Sequence, residues 1–324
     1  IDCFGVAGDR GDVAMVGYGA ARYALASGNC NEAEKLWPLI EWCLEYCHRQ
    51  LNADGVVKSD SDELENRFPA GKANLCTSSL YYDALVSAAY LGKALKKEHK
   101  QIKSYQDRAA ELYKNIDAYF ARNVEGYDTY RYYDGNTVLR SWICIPLTMG
   151  IYDQAKGTVE ALFSDKLWME NGLLTQSGTS TYWDRSTLYA FRGAYSCGAR
   201  DIATEYLDKY SATRLLGDHV PYAVEAWPEG NQRHLSTESA LYCRIMTEGL
   251  FGIRPIALDA FMMTPQLPES WNTMSLKRIC AFGSIFDIEV KRDKDDKLLV
   301  LIKKDHKIVK RSKITNGKPI EVRI

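Results

Sequence analysis

The residues of this sequence best suited to chemistry lie in two acidic segments. The first, residues 59–68, carries four carboxylates within six positions: Asp60, Asp62, Glu63 and Glu65. Like charges packed this closely raise the pKa of one member, and a general acid needs such a shift to hold a proton at neutral pH. Arg67 could keep another carboxylate ionised through a bidentate contact. The run also fits a solvated acidic loop that caps the next helix or binds calcium.

The second segment, residues 224–234, has two carboxylates on either side of a Trp-Pro corner. Glu225 precedes Trp227 and Glu229 follows it, with Arg233 further along. An aromatic ring offers a flat apolar surface on which a sugar ring stacks, so an acid beside a tryptophan suits a sugar-cleaving subsite. A well-packed loop with Trp227 as its plug is the alternative.

Cleavage of a glycosidic bond needs two carboxyl groups that face each other across it. In inverting enzymes they lie roughly 6.5–9.5 Å apart, which leaves room for water. Neighbours in one loop share one side of the substrate, whereas two segments distant in sequence can supply both sides. Tyr182, Trp183 and Asp184 form another aromatic and polar cluster, which predicts either a substrate subsite or a surface loop with half-buried rings.

Helical periodicity dominates the chain from about residue 12 to 251, and three similar turns interrupt it. Gly28, Gly150 and Gly198 each end a helical pattern, and we expect Asn31, Asp153 and Asp201, three residues later, to cap the next helix. The connections on the other side are long: residues 52–73, 123–138, 164–181 and 214–236. Long loops gathered on one face of a rigid scaffold are where binding and catalysis usually lie, and this pattern favours a closed toroid of hairpins.

The pattern changes after Gly252 to alternating, β-branched runs. We therefore predict two domains, a helical barrel at residues 1–256 and a small antiparallel β domain at residues 257–324. The basic residues at 303–313 fit a solvated strand edge.

Composition excludes some classes of function. The formal net charge of −1 gives no field for nucleic acid, and no apolar stretch is long enough to span a membrane. The nine cysteines are odd in number and form no C-x-x-C pair, so we predict core packing rather than zinc binding. Because the chain starts at Ile1, we expect a processed or trimmed upstream segment, which leaves export and the cytoplasm both open. The oligomeric state is open too.

The order of these features resembles the six-hairpin glycosidases, a superfamily that includes debranching amylo-1,6-glucosidases and α-glucosidase relatives. The segment DELENRF (62–68) and the helix NLCTSSLYYDAL (74–85) look like the family's acid-bearing loop and following helix. The segment EAWPEG (225–230) and then EGLFGIRP (248–255) are similar to its base-bearing loop and final barrel helix, and TPQLPESW (264–271) to the lead into its β domain.

The resemblance implies an (α/α)6 toroid, inverting hydrolysis of an oligo- or polysaccharide, and no redox cofactor or metal. It assigns the general acid to Glu63, four residues before the Arg67-Phe68 pair, and the general base to Glu225, with Asp62 and Glu229 as alternatives. It also implies substrate contacts from these side chains: Arg67, Tyr182, Trp183, Asp184, Trp227 and Arg233.

The sequence departs from the family pattern in two ways. No tryptophan precedes Glu63, and about nine helices are predicted rather than twelve, so the first helices are expected upstream of Ile1.

Three other functions stay open at this point. A polysaccharide lyase on a similar toroid would use Tyr222 with His219 or His234. A phosphorylase would replace the base by a phosphate pocket, for which Arg233 and His234 are candidates. A non-catalytic glycan-binding protein would need aromatic surfaces but no paired carboxylates.

Overall fold

The fold, a computed structural model, is described for residues 10–59, 68–216, 226–227 and 236–324. Its helical part contains nine α-helices over these ranges: α1 Arg10–Ser27, α2 Cys30–Arg49, α3 Leu75–Ala94, α4 His99–Phe120, α5 Ile145–Met149, α6 Ala155–Leu162, α7 Asp184–Ser196, α8 Arg200–Tyr210 and α9 Ser236–Arg244. A 3₁₀ turn, Ser141–Cys144, leads into α5, and π-helical turns, Ser211–Leu215 and Ile245–Leu250, extend α8 and α9.

The helices alternate between an inner and an outer layer. The odd-numbered helices pack in sequence, α1 on α3, α3 on α5, α5 on α7 and α7 on α9. Helix α3 is buried on nearly all sides, whereas α4 buries one stripe, Ile102, Tyr105, Ala109, Leu112, Ile116 and Phe120. A helix that is apolar all round belongs inside and a one-sided helix outside, so the chain forms an array of helical hairpins, as predicted.

Three glycines define one end of this array, which we call the tight-turn end. Gly28, Gly150 and Gly198 have φ of 69°, 88° and 93°, a left-handed conformation that stops a helix at little cost for glycine. The predicted caps are wrong: α2 and α8 begin before Asn31 and Asp201, and the residue at the N-cap of α6 is Gln154 rather than Asp153. Asn29, directly after Gly28, caps α2 by accepting hydrogen bonds from the Asn31 and Glu32 amides.

Short strands occupy the opposite end, which we call the long-loop end. They are β1 Ala121–Val124, β2 Tyr127–Tyr130, β3 Trp168–Met169, β4 Gly172–Leu173, β5 Tyr182–Trp183 and β6 Ala226–Trp227. Helix α7 begins at Asp184, because Tyr182 and Trp183 before it pair with β6.

The C-terminal region is antiparallel β, which confirms the predicted fold class. Its strands are β7 Ile253–Ala257, β8 Ala260–Met263, β9 Thr273–Ala281, β10 Ser284–Arg292, β11 Leu298–Lys304, β12 Lys307–Ile314 and β13 Ile320–Arg323. One sheet has the order β12-β11-β10-β9 and the other β13-β8-β7. Strand β12 forms an edge, as predicted from its basic residues, and Phe261 stacks on Phe282 and Phe286 between the sheets.

The β region also closes the end of α1. The Phe282 and Gly283 amides donate to the Ala26 and Ser27 carbonyls over 2.6 and 3.1 Å. Carbonyls at a helix end have no partner within the helix, so the β9–β10 turn supplies what α1 lacks.

Over the described ranges, the helices are all too short or too polar to cross a bilayer. The described cysteines are free; Cys43 and Cys47 are buried in the core, as predicted.

Candidate active site

A series of backbone bridges joins the connections at the long-loop end. The bridged pairs are Leu51–Val57, Lys58–Ala73, Asn74–Tyr133, Arg140–Gln176 and Leu174–Tyr182. Strand β5 then pairs with β6. Each connection is therefore tied to the next, and the described flanks of both predicted acidic segments lie at this end.

The flanks of the first acidic segment are held by buried polar contacts. The Ser59 amide donates to the Lys72 carbonyl over 2.9 Å, and the Thr77 hydroxyl donates to Ser59 Oγ over 3.3 Å. On the other flank, the buried Arg140 guanidinium stacks 4.8 Å from the Phe68 ring and donates to the Pro69 carbonyl over 2.6 Å. A positive charge thus lies where the segment rejoins the fold. Asp62, Glu63 and Arg67 lie outside the described residues.

The second acidic segment is tied to α7 through β6. Trp183 pairs with Ala226, and Tyr182 pairs with Trp227, in an antiparallel register. The residue after Trp183 is Asp184, the first of α7, so the backbone next to Glu225 is anchored at the start of an inner helix. Glu225, Glu229 and Arg233 themselves lie outside the described residues, as does the side chain of Trp227.

An aromatic cluster lies beneath these connections. The Trp142 ring meets Trp183 edge-on at 5.4 Å and Tyr189 at 5.6 Å, and all three are buried. Such edge-to-face pairs stabilise the packing by more than the burial of their apolar area alone. Trp183 is 2% exposed and Tyr182 is half-buried, so Trp183 belongs to the floor under the site; its predicted contact with substrate, and that of Tyr182, remain predictions.

Two buried ion pairs lie at the long-loop end. Asp184 and Arg214, both 1% exposed, are joined by a 3.0 Å ion pair. Burial and the Asp184 carboxylate raise the pKa of the adjacent Tyr210 hydroxyl well above its usual value. Arg185 donates to the buried Glu238 carboxylate over 2.8 Å. These pairs connect α7 with the ends of α8 and α9, so Asp184 positions the site; its direct contact with substrate also remains a prediction.

Glu125 joins two of the long connections. Its carboxylate accepts from the Leu139 amide over 2.7 Å, from Lys166 over 3.3 Å and from the Ser177 hydroxyl over 3.2 Å. Burial alone would raise its pKa, but these three donors lower it overall. A stable carboxylate therefore holds the β1–β2 connection against residues 164–178.

Sequence patterns did not identify Glu125, Arg140 or Trp142 as part of this site. Arg140 offered one signal, because it stands next to an otherwise apolar run, residues 141–149. Glu125 offered none, since its role depends on contacts made far along the chain. Within the part of the chain that is described, no group of three His, Cys, Asp or Glu side chains could hold a metal ion.

Three solved structures with this arrangement of helical hairpins and β region are titled as a sialidase and two rhamnosidases. A protein titled sialidase superposes with a TM-score of 0.71 at 14% identity, over 94% of this chain and 32% of its own. The GH78 family rhamnosidase of Bacillus sp. GL1 gives 0.54 at 13%, over 87% and 29%. A rhamnosidase from Klebsiella oxytoca with rhamnose bound gives 0.50 at 15%, over 69% and 43%.

Sequence comparison adds nothing further, because no family model and no curated protein sequence matches this chain. The chain spans between 29% and 43% of the length of the three structures. The likeness is therefore one of architecture: this chain has a glycosidase-like fold, an array of helical hairpins followed by an antiparallel β region.

Proposed function

We propose that this chain carries the catalytic barrel of a glycoside hydrolase that cleaves an oligo- or polysaccharide with inversion. In this proposal Glu63 is the general acid and Glu225 the general base. Asp62 and Glu229 are their nearest alternatives. The subtype suggested by the sequence, a debranching-type glucosidase, is part of the proposal rather than of the fold.

The observation that carries the proposal is the convergence of the two segment flanks. Phe68 contacts Arg140, and Arg140 is bridged to Gln176. Close by, Trp142 contacts Trp183, whose backbone pairs with Ala226. The described flanks of two acidic segments far apart in sequence thus lie at the same end of the array, where loops are long. This supports two carboxylates on opposite sides of one bond.

Each side chain has a defined role in the proposed reaction. Glu63 donates its proton to the glycosidic oxygen as the bond breaks, and Glu225 removes a proton from the attacking water. The Arg140 guanidinium, which contacts Phe68 and Pro69 at the flank of the first segment, would favour the ionised form of a carboxylate placed beside it. Arg67, Trp227 and Arg233 would contact the sugar.

The test compares acids with their amide variants. Glu63→Gln and Glu225→Gln should each lower turnover by about 10²–10⁴-fold, the usual contribution of one general acid or base. Asp62→Asn and Glu229→Gln are the matched controls, since each removes one negative charge from the same segment as Glu63 or Glu225. Released sugar is measured on aryl α-L-rhamnosides, α-1,6-linked glucans and sialosides, and NMR of the first product identifies its anomer.

The assignment is wrong if the control variants lose activity and Glu63→Gln and Glu225→Gln retain it. Retained anomeric configuration would replace inversion by a two-step mechanism. Products with an unsaturated sugar end would show a lyase. Binding of glycans without any release of sugar would leave a binding protein.

A further inference from the structure

A second cavity, of about 440 Å³, lies at the tight-turn end between the helix ends and the β region. Four arginines line it: Arg22, Arg192, Arg200 and Arg254. Glu248 is the acidic residue among its lining side chains. The volume is within the range of small-molecule sites.

The cluster around this cavity has more positive than negative charge. Glu248 pairs with Arg22 at 2.8 Å, Arg244 at 2.5 Å and Arg192 at 3.4 Å. Asp83 is shared between Arg22, at 2.9 Å, and Arg254, and Arg200 has only Asp201, at 3.7 Å. These five arginines and three carboxylates leave two more positive than negative charges around the cavity.

Two of the lining arginines also have unfilled donors. Arg192 is 1% exposed, and its Nε has no hydrogen-bond partner within the described parts of the chain. The Nε of Arg200 is also buried and has no hydrogen-bond acceptor among the described residues, because the Asp201 carboxylate, at 3.7 Å, is beyond hydrogen-bond distance. A buried donor without an acceptor raises the free energy of the folded protein, and a charged donor raises it more. A bound ligand that accepts these hydrogen bonds would therefore be stabilised at this site.

We propose that this cavity binds a small molecule bearing an oxyanion, either inorganic phosphate or the carboxylate of an acidic sugar. A guanidinium offers a planar pair of donors that matches such groups. The hydroxyls of Thr148 and Ser196, which also line the cavity, would serve the remaining oxygens.

This site is separate from the proposed active site. Asp184 begins α7 at the long-loop end, and Arg192 follows eight residues later, about 12 Å along the helix axis. Helix α7 thus connects the two sites, and the ligand at one end need not be the substrate at the other.

Isothermal titration calorimetry on the whole chain tests the proposal. Inorganic phosphate, glucuronate and neutral glucose are titrated separately at constant ionic strength, with chloride as the balancing anion. Phosphate or glucuronate should bind saturably, and glucose should not. Arg200→Gln should weaken that binding by about ten-fold or more, as expected for one charge-assisted hydrogen bond. Arg311→Gln, on the exposed edge strand β12, should leave it unchanged.

The two ligands distinguish the source of the oxyanion: binding of phosphate alone identifies a free-phosphate site, and tighter binding of glucuronate identifies an acidic sugar. Arg192→Gln provides a second test of the same contact, and Arg200→Gln decides alone if that variant does not fold. The proposal is overturned if neither anion binds saturably, or if the folded arginine variants bind as well as the wild type.

Discussion

The two ends of the helical array treat charge differently. At the long-loop end, Asp184 pairs with Arg214 and Glu238 with Arg185. At the tight-turn end, Glu248 serves three arginines and Asp83 two. A paired carboxylate and guanidinium hold the neighbouring elements in place and largely cancel each other's electrostatic potential. An excess of arginine over carboxylate leaves a positive potential, which attracts an anionic ligand.

The largest expected effect breaks a matched pair. Asp184→Ala leaves Arg214 as a buried charge without its carboxylate and should lower the free energy of unfolding by about 3–5 kcal/mol. Replacing both residues together, by Leu and Met, should cost much less, because no charge is then stranded. Chemical denaturation measures both. Asp107→Ala, in the exposed pair with Lys103, is the control and should change stability by about 0–1 kcal/mol. Equal losses in the single and double variants would show that the pair does not act as a unit.

At the other end, loss of Glu248 should be nearly as costly and should depend on pH. Burial alone would raise its pKa, but Arg244, Arg192 and Arg22 lower it far below the ordinary value. A lowered pKa stabilises the fold above the unfolded value, about 4.3 for glutamate, and this stabilisation disappears as pH falls through the folded pKa.

Denaturation of wild type and Glu248→Gln at a series of pH values tests this dependence. The variant should be less stable by about 3 kcal/mol near neutrality, as for a buried pair that loses one partner, and the difference should shrink as the solution is acidified. A difference independent of pH would mean that the pKa of Glu248 is the same in the folded and unfolded states.

The turns of the tight-turn end should respond unequally to alanine. A Cβ on Gly28 would overlap the backbone of Phe282 and Gly283, whereas one on Gly198 would meet open space. Both positions have positive φ, which costs alanine about 1–2 kcal/mol. Gly28→Ala should lose a further ~1–3 kcal/mol from overpacking. Thermal unfolding compares the two variants, and equal losses would show that the β region yields at this contact.

The smallest expected effect concerns Glu125 at the long-loop end. Glu125→Gln keeps one acceptor oxygen but loses the charge that pairs with Lys166, so stability should fall by only about 1 kcal/mol. Proteolysis or hydrogen exchange should nevertheless show residues 164–178 opening more often. Unchanged protection in that connection would remove Glu125 from the residues that position the site.

The sequence predicted the helical array and its two ends better than the side-chain contacts at either end. Periodicity identified the helices, and Gly28, Gly150 and Gly198 identified the tight turns, because both are local properties. The pairing of Tyr182 and Trp183 with β6 was not predicted, since it cannot be read from their neighbours in sequence. Strand β12 was recognised only as a charged edge.

Side-chain pairing between distant elements was beyond prediction. Arg22, Asp83 and Glu248 come from three inner helices or their extensions, and nothing in their local sequences links them. The acidic segments were identified from composition and from the family resemblance, whereas the aromatic floor under them, Trp142 with Trp183 and Tyr189, emerged only from packing. The role of Glu63 and Glu225 stays a prediction.

The contact between the β9–β10 turn and the end of α1 has a consequence for how the chain folds. Helix α1 precedes the other described helices along the chain, but the amides of Phe282 and Gly283 that complete it are synthesised only after all of them. Contacts this distant in sequence close late and slow folding. On the ribosome, the backbone amides of α1 should therefore remain open to hydrogen exchange until the β region emerges. The hairpin array and the β region should then complete their folding together in one late, cooperative step.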